Sequence, residues 1–191
     1  MIKELSRVTK ETDIKMKVNL RGTGISKIDT GIGFFNHMLE AFSKHSFIDL
    51  EVKCRGDIDV DYHHSVEDVG IVLGLILKEL IYPVQNIERY SNSVIVMDEA
   101  AVECDMDLSN RPFLFFDLGV DGKIGSFDVE LCEEFFRAVA VNASISMHIV
   151  KKRGKNRHHI AEAAFKSFAV SLRKALAAND RAGVPSTKGV L

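Results

Sequence analysis

Residues 61–68 read DYHHSVED, and residues 157–162 read RHHIAE. Each stretch sets two adjacent histidines ahead of a carboxylate: His63, His64 and Glu67, then His158, His159 and Glu162. Imidazole with carboxylate is an ordinary ligand set for a divalent transition metal. Neighbours on a helix point about 100° apart, because one turn takes about 3.6 residues. Adjacent histidines therefore suit two different ions, on two sides of a helix start. Glu67 lies four residues past His63 and three past His64, so it shares a face with either. One His-His pair is commonly a surface or capping feature, and a helix dipole favours acidic residues near its N-terminus. Capping does not explain two such clusters set 95 residues apart in a chain of 191.

Each cluster splits its ligands between two directions, so further ligands are required. His37, in GIGFFNHML, precedes His63 by 26 residues, and Glu134 precedes His158 by 24. Both are metal-ligand types at equivalent places. His45 and His148 have no ligand-type counterpart and read as structural histidines.

The elements that must carry these residues repeat along the chain. Ile14, Met16, Val18 and Leu20 alternate as in a half-buried strand, and Val102, Cys104, Met106 and Leu108 do the same. Residues 34–45 and 129–142 are expected to be helical, followed by strands at 47–54 and 144–151. Each His-His cluster then opens an apolar-striped helix, at 64–80 and 159–178. The pattern predicts an α+β fold of duplicated β-α-β-α halves, at about 8–85 and 90–180, in one catalytic unit. Each half has a mostly antiparallel sheet backed by helices, and layering the two halves covers both exposed faces. The N-terminal strand and the tail, residues 181–191, fall outside the repeat. The Gly, Pro, Ser and Thr of AGVPSTKGVL mark the tail as a loop.

Composition narrows the function. With 25 basic and 27 acidic residues the chain lacks the basic surplus of a nucleic-acid binder. Three scattered cysteines, Cys54, Cys104 and Cys132, make no CxxC pair and fit a reducing cytoplasm. The N-terminus lacks the apolar segment of a secretory signal. GIVLGLIL at 70–77 is too short to span a bilayer and reads as a buried helix. GTG at 22–24 and GIG at 31–33 do not combine into GxGxxG, so no dinucleotide site is implied.

Taken together, RVTKET, GTGIGFFNHML, GDIDVDYHHSVEDVGIVLG, DLSNRPFLFFD, GKNRHHIAEAAFKSFA and PSTKGVL resemble the imidazoleglycerol-phosphate dehydratase family over essentially the whole chain. The resemblance implies a cytoplasmic manganese-dependent lyase of histidine biosynthesis, similar in fold to domain 2 of ribosomal protein S5. It implies two Mn²⁺ per active site, completed across subunit boundaries in a homo-oligomer of about 24 subunits built from trimers. One ion would take His37, His63 and Glu67 with His158 of a neighbouring chain. The other would take His64, the residue at 134, His159 and Glu162. The implied reaction dehydrates D-erythro-imidazole glycerol phosphate to imidazole acetol phosphate, through an imidazolate bridging the two ions. Glu11 matches the family's acid/base and substrate-binding position. Arg89, Arg111, Lys166 and Lys188 match family positions for binding the phosphate, where guanidinium and ammonium groups suit phosphate oxygens, and Ser186 and Thr187 in PSTKG can donate hydrogen bonds to it.

Two positions depart from the family pattern. Glu134 stands where many members have His; a carboxylate is a harder ligand and still suits Mn²⁺. Asn36 stands where the family usually has Asp, which would orient the following imidazole through a hydrogen bond. Two other classes also accommodate the paired clusters. A metal-storage module needs neither Glu11 nor the tail, and a dinuclear hydrolase would release inorganic phosphate.

Overall fold

Period-two alternation builds two sheets, and period-3.6 apolar stripes build the helices that cover them. The computed structural model describes residues 1–191. The first half runs β1 (Ile2–Val8), β2 (Thr12–Asn19), β3 (Ser26–Asp29), α1 (Gly33–Ser46), β4 (Asp49–Gly56) and α2 (His63–Ile81). The second runs β5 (Tyr90–Met97), β6 (Ala100–Asp107), β7 (Phe113–Asp117), the short hairpin β8 (Lys123–Ile124) and β9 (Phe127–Asp128), α3 (Glu130–Ala143), β10 (Ser146–Arg153) and α4 (Arg157–Ala175). The sheets have the orders β1-β2-β4-β3 and β5-β6-β10-β7. All pairings are antiparallel except β3 with β4 and β7 with β10.

The fold is α+β, as expected, with more strands than the alternation suggested. β3 has only four residues, and β7, reading FLFFD, is apolar almost throughout; neither offers a readable period. The N-terminal strand also has a counterpart. β1 edges β2 as β5 edges β6, so the duplicated unit begins before residue 8. The tail is irregular from Ala182 onward, as its composition predicts.

What positions the site is how the halves interlock. α1 and α2 lie on the first sheet, α3 and α4 on the second, and the helix layers face each other with α1 against α4 and α2 against α3. Gly70 and Gly74 explain the close approach of α2. A Cβ built on Gly70 would lie 2.8 Å from Ala138 Cβ, and one on Gly74 would lie 2.7 Å from Asn142 Cβ. Between α1, α3 and α4 the gap is filled by aromatic rings: Phe42 stacks on Phe168 at 5.2 Å, and Phe136 meets Phe165 at 4.7 Å. All four rings are fully buried. Burying each contributes on the order of 1.5–3 kcal/mol. No helix is long and apolar enough to cross a membrane.

Candidate metal centre and phosphate groove

Both His-His pairs sit on the first residues of their helices, and local backbone capping aims them. In α4 the side chain of Asn156 accepts hydrogen bonds from His158 N (2.9 Å) and His159 N (3.3 Å). In α2 Asp61 accepts from His63 N at 2.8 Å. These caps satisfy amides that the helix start leaves without partners. The pairs are near copies of one another. Adjacent rings lie 6.1 Å apart in α2 and 6.3 Å apart in α4, each pair at 82°.

One candidate ligand cluster forms within the chain. His37, His158 and Glu162 present donor atoms that all lie within 4.8 Å of one another. Glu162 Oε2 is 3.1 Å from His158 Nε2 and 3.4 Å from His37 Nε2. Its other oxygen accepts from Lys166 Nζ at 2.6 Å. Burial pushes the Glu162 carboxyl up, but the hydrogen bond and charge of Lys166, with His37 and His158, outweigh it and hold the group below its ordinary range. Two imidazoles and a carboxylate fit a divalent transition metal such as Mn²⁺.

This grouping differs from the one the family resemblance implied. His37 was expected with His63, Glu67 and a neighbouring chain's His158; within one chain it lies on His158 and Glu162, because α1 packs on α4. The other cluster follows the same exchange of helices. α2 and α3 run side by side in the same direction, with Gly70 at Phe135 and Gly74 at Val139, which sets Glu134 at about the level of Glu67. His63 Nε2 lies 3.8 Å from Glu67 Oε2.

The second histidine of each pair turns to a different carboxylate. His64 Nδ1 is 3.0 Å from Asp57 Oδ2, and His159 Nδ1 is 2.8 Å from Glu99 Oε2. With the proton held on Nδ1, each Nε2 keeps its lone pair for a ligand role, the usual arrangement behind a metal-bound imidazole. The hydrogen bond to Asp57 raises the pKa of His64, and the one to Glu99 raises that of His159. Glu99 itself is held down to about 2 by His159 and by the amides of Asn156 and Lys155.

Sequence reasoning missed both Asp57 and Glu99. Glu99 was legible in principle: it stands 88 residues after Glu11, the same offset that relates Ile14 to Val102. Replacing Glu99 by Gln removes the charge that fixes the His159 tautomer. Mn²⁺ affinity at the site using His159 is expected to fall by about 10–100-fold, read by calorimetric titration of stripped protein. An unchanged affinity would show that Glu99 does not orient the ring.

Asn36 is engaged elsewhere than on an imidazole. Its Oδ1 accepts from Thr30 Oγ1 (2.6 Å) and Thr30 N (3.0 Å), which ties down the entry to α1. Glu11, on the turn between β1 and β2, places Oε1 3.8 Å from His64 Nε2. His45 and His148 join neither cluster; His148 lies between Phe113 and Phe115 on the second sheet.

The expected phosphate ligands divide. Arg89, Arg111, Ser186, Thr187 and Lys188 line one groove of about 670 Å³, large enough for a small metabolite. Lys166 is not there but on Glu162. Arg89, 7% exposed, is already committed: its guanidinium grips Asp107 (2.7 and 3.1 Å) and donates to Pro185 O at 2.6 Å. It thereby anchors the tail. Arg111 and Lys188 make no ion pair and are the groove's free cations, while Arg111 O is held by Ser146 Oγ at 2.8 Å. None of the clustered histidines lines this groove.

Comparison with known proteins places this geometry. The family model described as imidazoleglycerol-phosphate dehydratase matches residues 30–172. The imidazoleglycerol-phosphate dehydratase of Wolinella succinogenes is 61% identical over 190 residues, covering 100% of both chains. That of Nitratiruptor sp. is 63% identical over 191 residues, again covering 100% of both. The crystal structure of the Staphylococcus aureus imidazoleglycerol-phosphate dehydratase superposes with a TM-score of 0.85 at 40% identity, covering 94% of this chain and 100% of that one. The structure of IGPD from Pyrococcus furiosus gives the same TM-score at 36% identity, covering 98% and 100%.

Proposed function

The chain belongs to the imidazoleglycerol-phosphate dehydratase family of hydro-lyases, and on that premise we propose that it converts D-erythro-imidazole glycerol phosphate to imidazole acetol phosphate in histidine biosynthesis. The observation that carries the reading is the His37–His158–Glu162 cluster, with an exposed carboxylate, Glu11, beside His64 of the first His-His pair. Two Mn²⁺ ions per active site would supply Lewis acidity to the substrate's imidazole ring. His37, His158 and Glu162 hold one ion, and His63, Glu67 and Glu134 are the equivalent set for the other. His64 and His159, aimed away from these sets, complete the sites of neighbouring chains. The family resemblance extends this reading to a cytoplasmic homo-oligomer of about 24 subunits assembled from trimers.

The chain's own groups perform three tasks. Glu11 accepts the proton from the substrate carbon two bonds from the ring and returns one to the departing hydroxyl. Arg111 and Lys188, with the hydroxyls of Ser186 and Thr187, hold the phosphate in the tail groove, and Arg89 sets the tail's position through Pro185 O. Lys166 fixes the rotamer of Glu162. The groove holds none of the clustered histidines, which supports an active site assembled between subunits.

Chelator-stripped protein titrated with Mn²⁺ tests the reading. Dehydratase turnover is expected to return and to saturate near two ions per chain. Two bound ions without imidazole acetol phosphate would leave a metal-binding protein that does not run this reaction. Release of inorganic phosphate would point to a dinuclear hydrolase.

A further inference from the structure

The two halves put the same residue type at the same place and treat it differently. Glu11 and Glu99 each stand one residue before the second strand of their half, and each faces the second histidine of its pair. Glu99 is locked. Its Oε1 accepts from Lys155 N (3.2 Å) and Asn156 N (2.8 Å), while Oε2 takes His159. The Glu11 carboxylate makes no hydrogen bond; only its backbone is held. Glu11 N donates to Thr9 Oγ1 at 3.1 Å, and Glu11 O accepts from Asp57 N at 3.1 Å.

Beneath that turn lies a buried polar network with no counterpart in the second half. Thr12 N and Thr9 N close the turn, on Thr9 Oγ1 (3.0 Å) and Thr12 O (2.8 Å). Thr12 Oγ1 donates to Asp68 Oδ2, and Arg7 NH1 pairs with the same oxygen at 2.5 Å. Thr12 is 3% exposed and Asp68 6%. The equivalent residues in the second half are Ala100 and Ala163, both fully buried and apolar. At these two positions the second half therefore uses alanines, and its joint carries buried serine hydrogen bonds elsewhere, such as Ser93 Oγ to Ser167 O at 2.8 Å. The pair is only half-buried, since the Arg7 side chain is 32% exposed; such pairs add little stability over well-packed apolar residues, so the joint does not require one for folding.

We infer that the Arg7–Asp68–Thr12 network exists to hold the Glu11 turn in register with His64, and that Asp68 and Thr12 are positioning residues for Glu11. The half that must present a free carboxylate fixes its backbone from below. The half whose carboxylate is pinned directly does not. This inference rests on the proton-transfer role proposed for Glu11, and a reacting group displaced by about 1 Å loses on the order of 100-fold in rate.

The test uses Mn²⁺-loaded, assembled protein. Thr12→Val keeps shape and removes the donor; Thr12→Ser restores the hydroxyl; Asp68→Asn removes the acceptor charge. Thr12→Val and Asp68→Asn are expected to lower kcat by about 10–100-fold with KM and Mn²⁺ stoichiometry unchanged, and Thr12→Ser to recover most of it. In a Glu11→Gln background, at enzyme concentrations that resolve the residual rate, Thr12→Val is expected to cost less than about twofold, because contacting residues that act through one group are non-additive. Equal losses in both backgrounds, a wild-type kcat for Thr12→Val, or loss of bound Mn²⁺ would overturn the inference. If Asp68→Asn does not fold, the Thr12 pair decides alone. Full turnover by Glu11→Gln itself would instead sink the proposed role of Glu11, a distinguishable result.

Discussion

Glu11→Gln is expected to lower dehydratase turnover by about 10²–10⁴-fold, the usual contribution of a positioned acid/base. The substitution keeps size and hydrogen-bonding shape and removes only the ionisable proton. Its structural cost is small, since the side chain is about half exposed and lies 3.8 Å from His64 Nε2, beyond hydrogen-bond distance. Exposed changes of this kind stay within about 0.5 kcal/mol of stability. Melting temperature and two Mn²⁺ per chain should therefore persist while kcat collapses. That combination separates a catalytic carboxylate from a structural one. Turnover within a fewfold of the parent would remove Glu11 from the mechanism. Loss of bound metal together with activity would reassign it as a support for His64.

Phe165→Ala is expected to destabilise the protein by about 3–5 kcal/mol, the range for removing a buried aromatic ring. Phe165 lies three residues past Glu162 on α4, with no exposed surface. It stacks on Phe135 at 5.1 Å and meets Phe136 at 4.7 Å, both on α3. The cavity would open where the two halves interlock, behind the His37–His158–Glu162 cluster. For a chain of this size the melting temperature should drop by roughly 10 °C, read by calorimetry at fixed Mn²⁺. Phe165→Leu, which refills much of the volume, should lose markedly less. A shift below about 2 °C would mean that this aromatic cluster does not carry the joint.

The candidate metal ligands were legible because their spacing is local. An HHxxE pattern at a helix start puts imidazoles and a carboxylate within a turn of one another whatever the rest of the chain does. That spacing sets His158 3.1 Å from Glu162 and His63 3.8 Å from Glu67. Asp57 and Glu99 were harder to see, since each reaches its histidine from a preceding strand end or loop. The one signal available for Glu99 was the 88-residue repeat that carries it onto Glu11.

By itself the sequence determined the α+β class, the duplication, the four helices and the two His-His clusters. These follow from periods of 2 and 3.6 and from i, i+4 geometry, which act over a few residues. Only the tertiary structure decided which ligands meet. His37 joins His158 and Glu162 across more than half the chain because α1 packs on α4 through Phe42 and Phe168. α2 meets α3 because Gly70 and Gly74 let their backbones approach. Tertiary packing also brought Arg89 onto Pro185 O, whereas Lys166 meets Glu162 by i, i+4 spacing within α4 and Asn36 meets Thr30 six residues away. The long-range pairings among these are set by how apolar faces interlock, and no local period in the sequence encodes that.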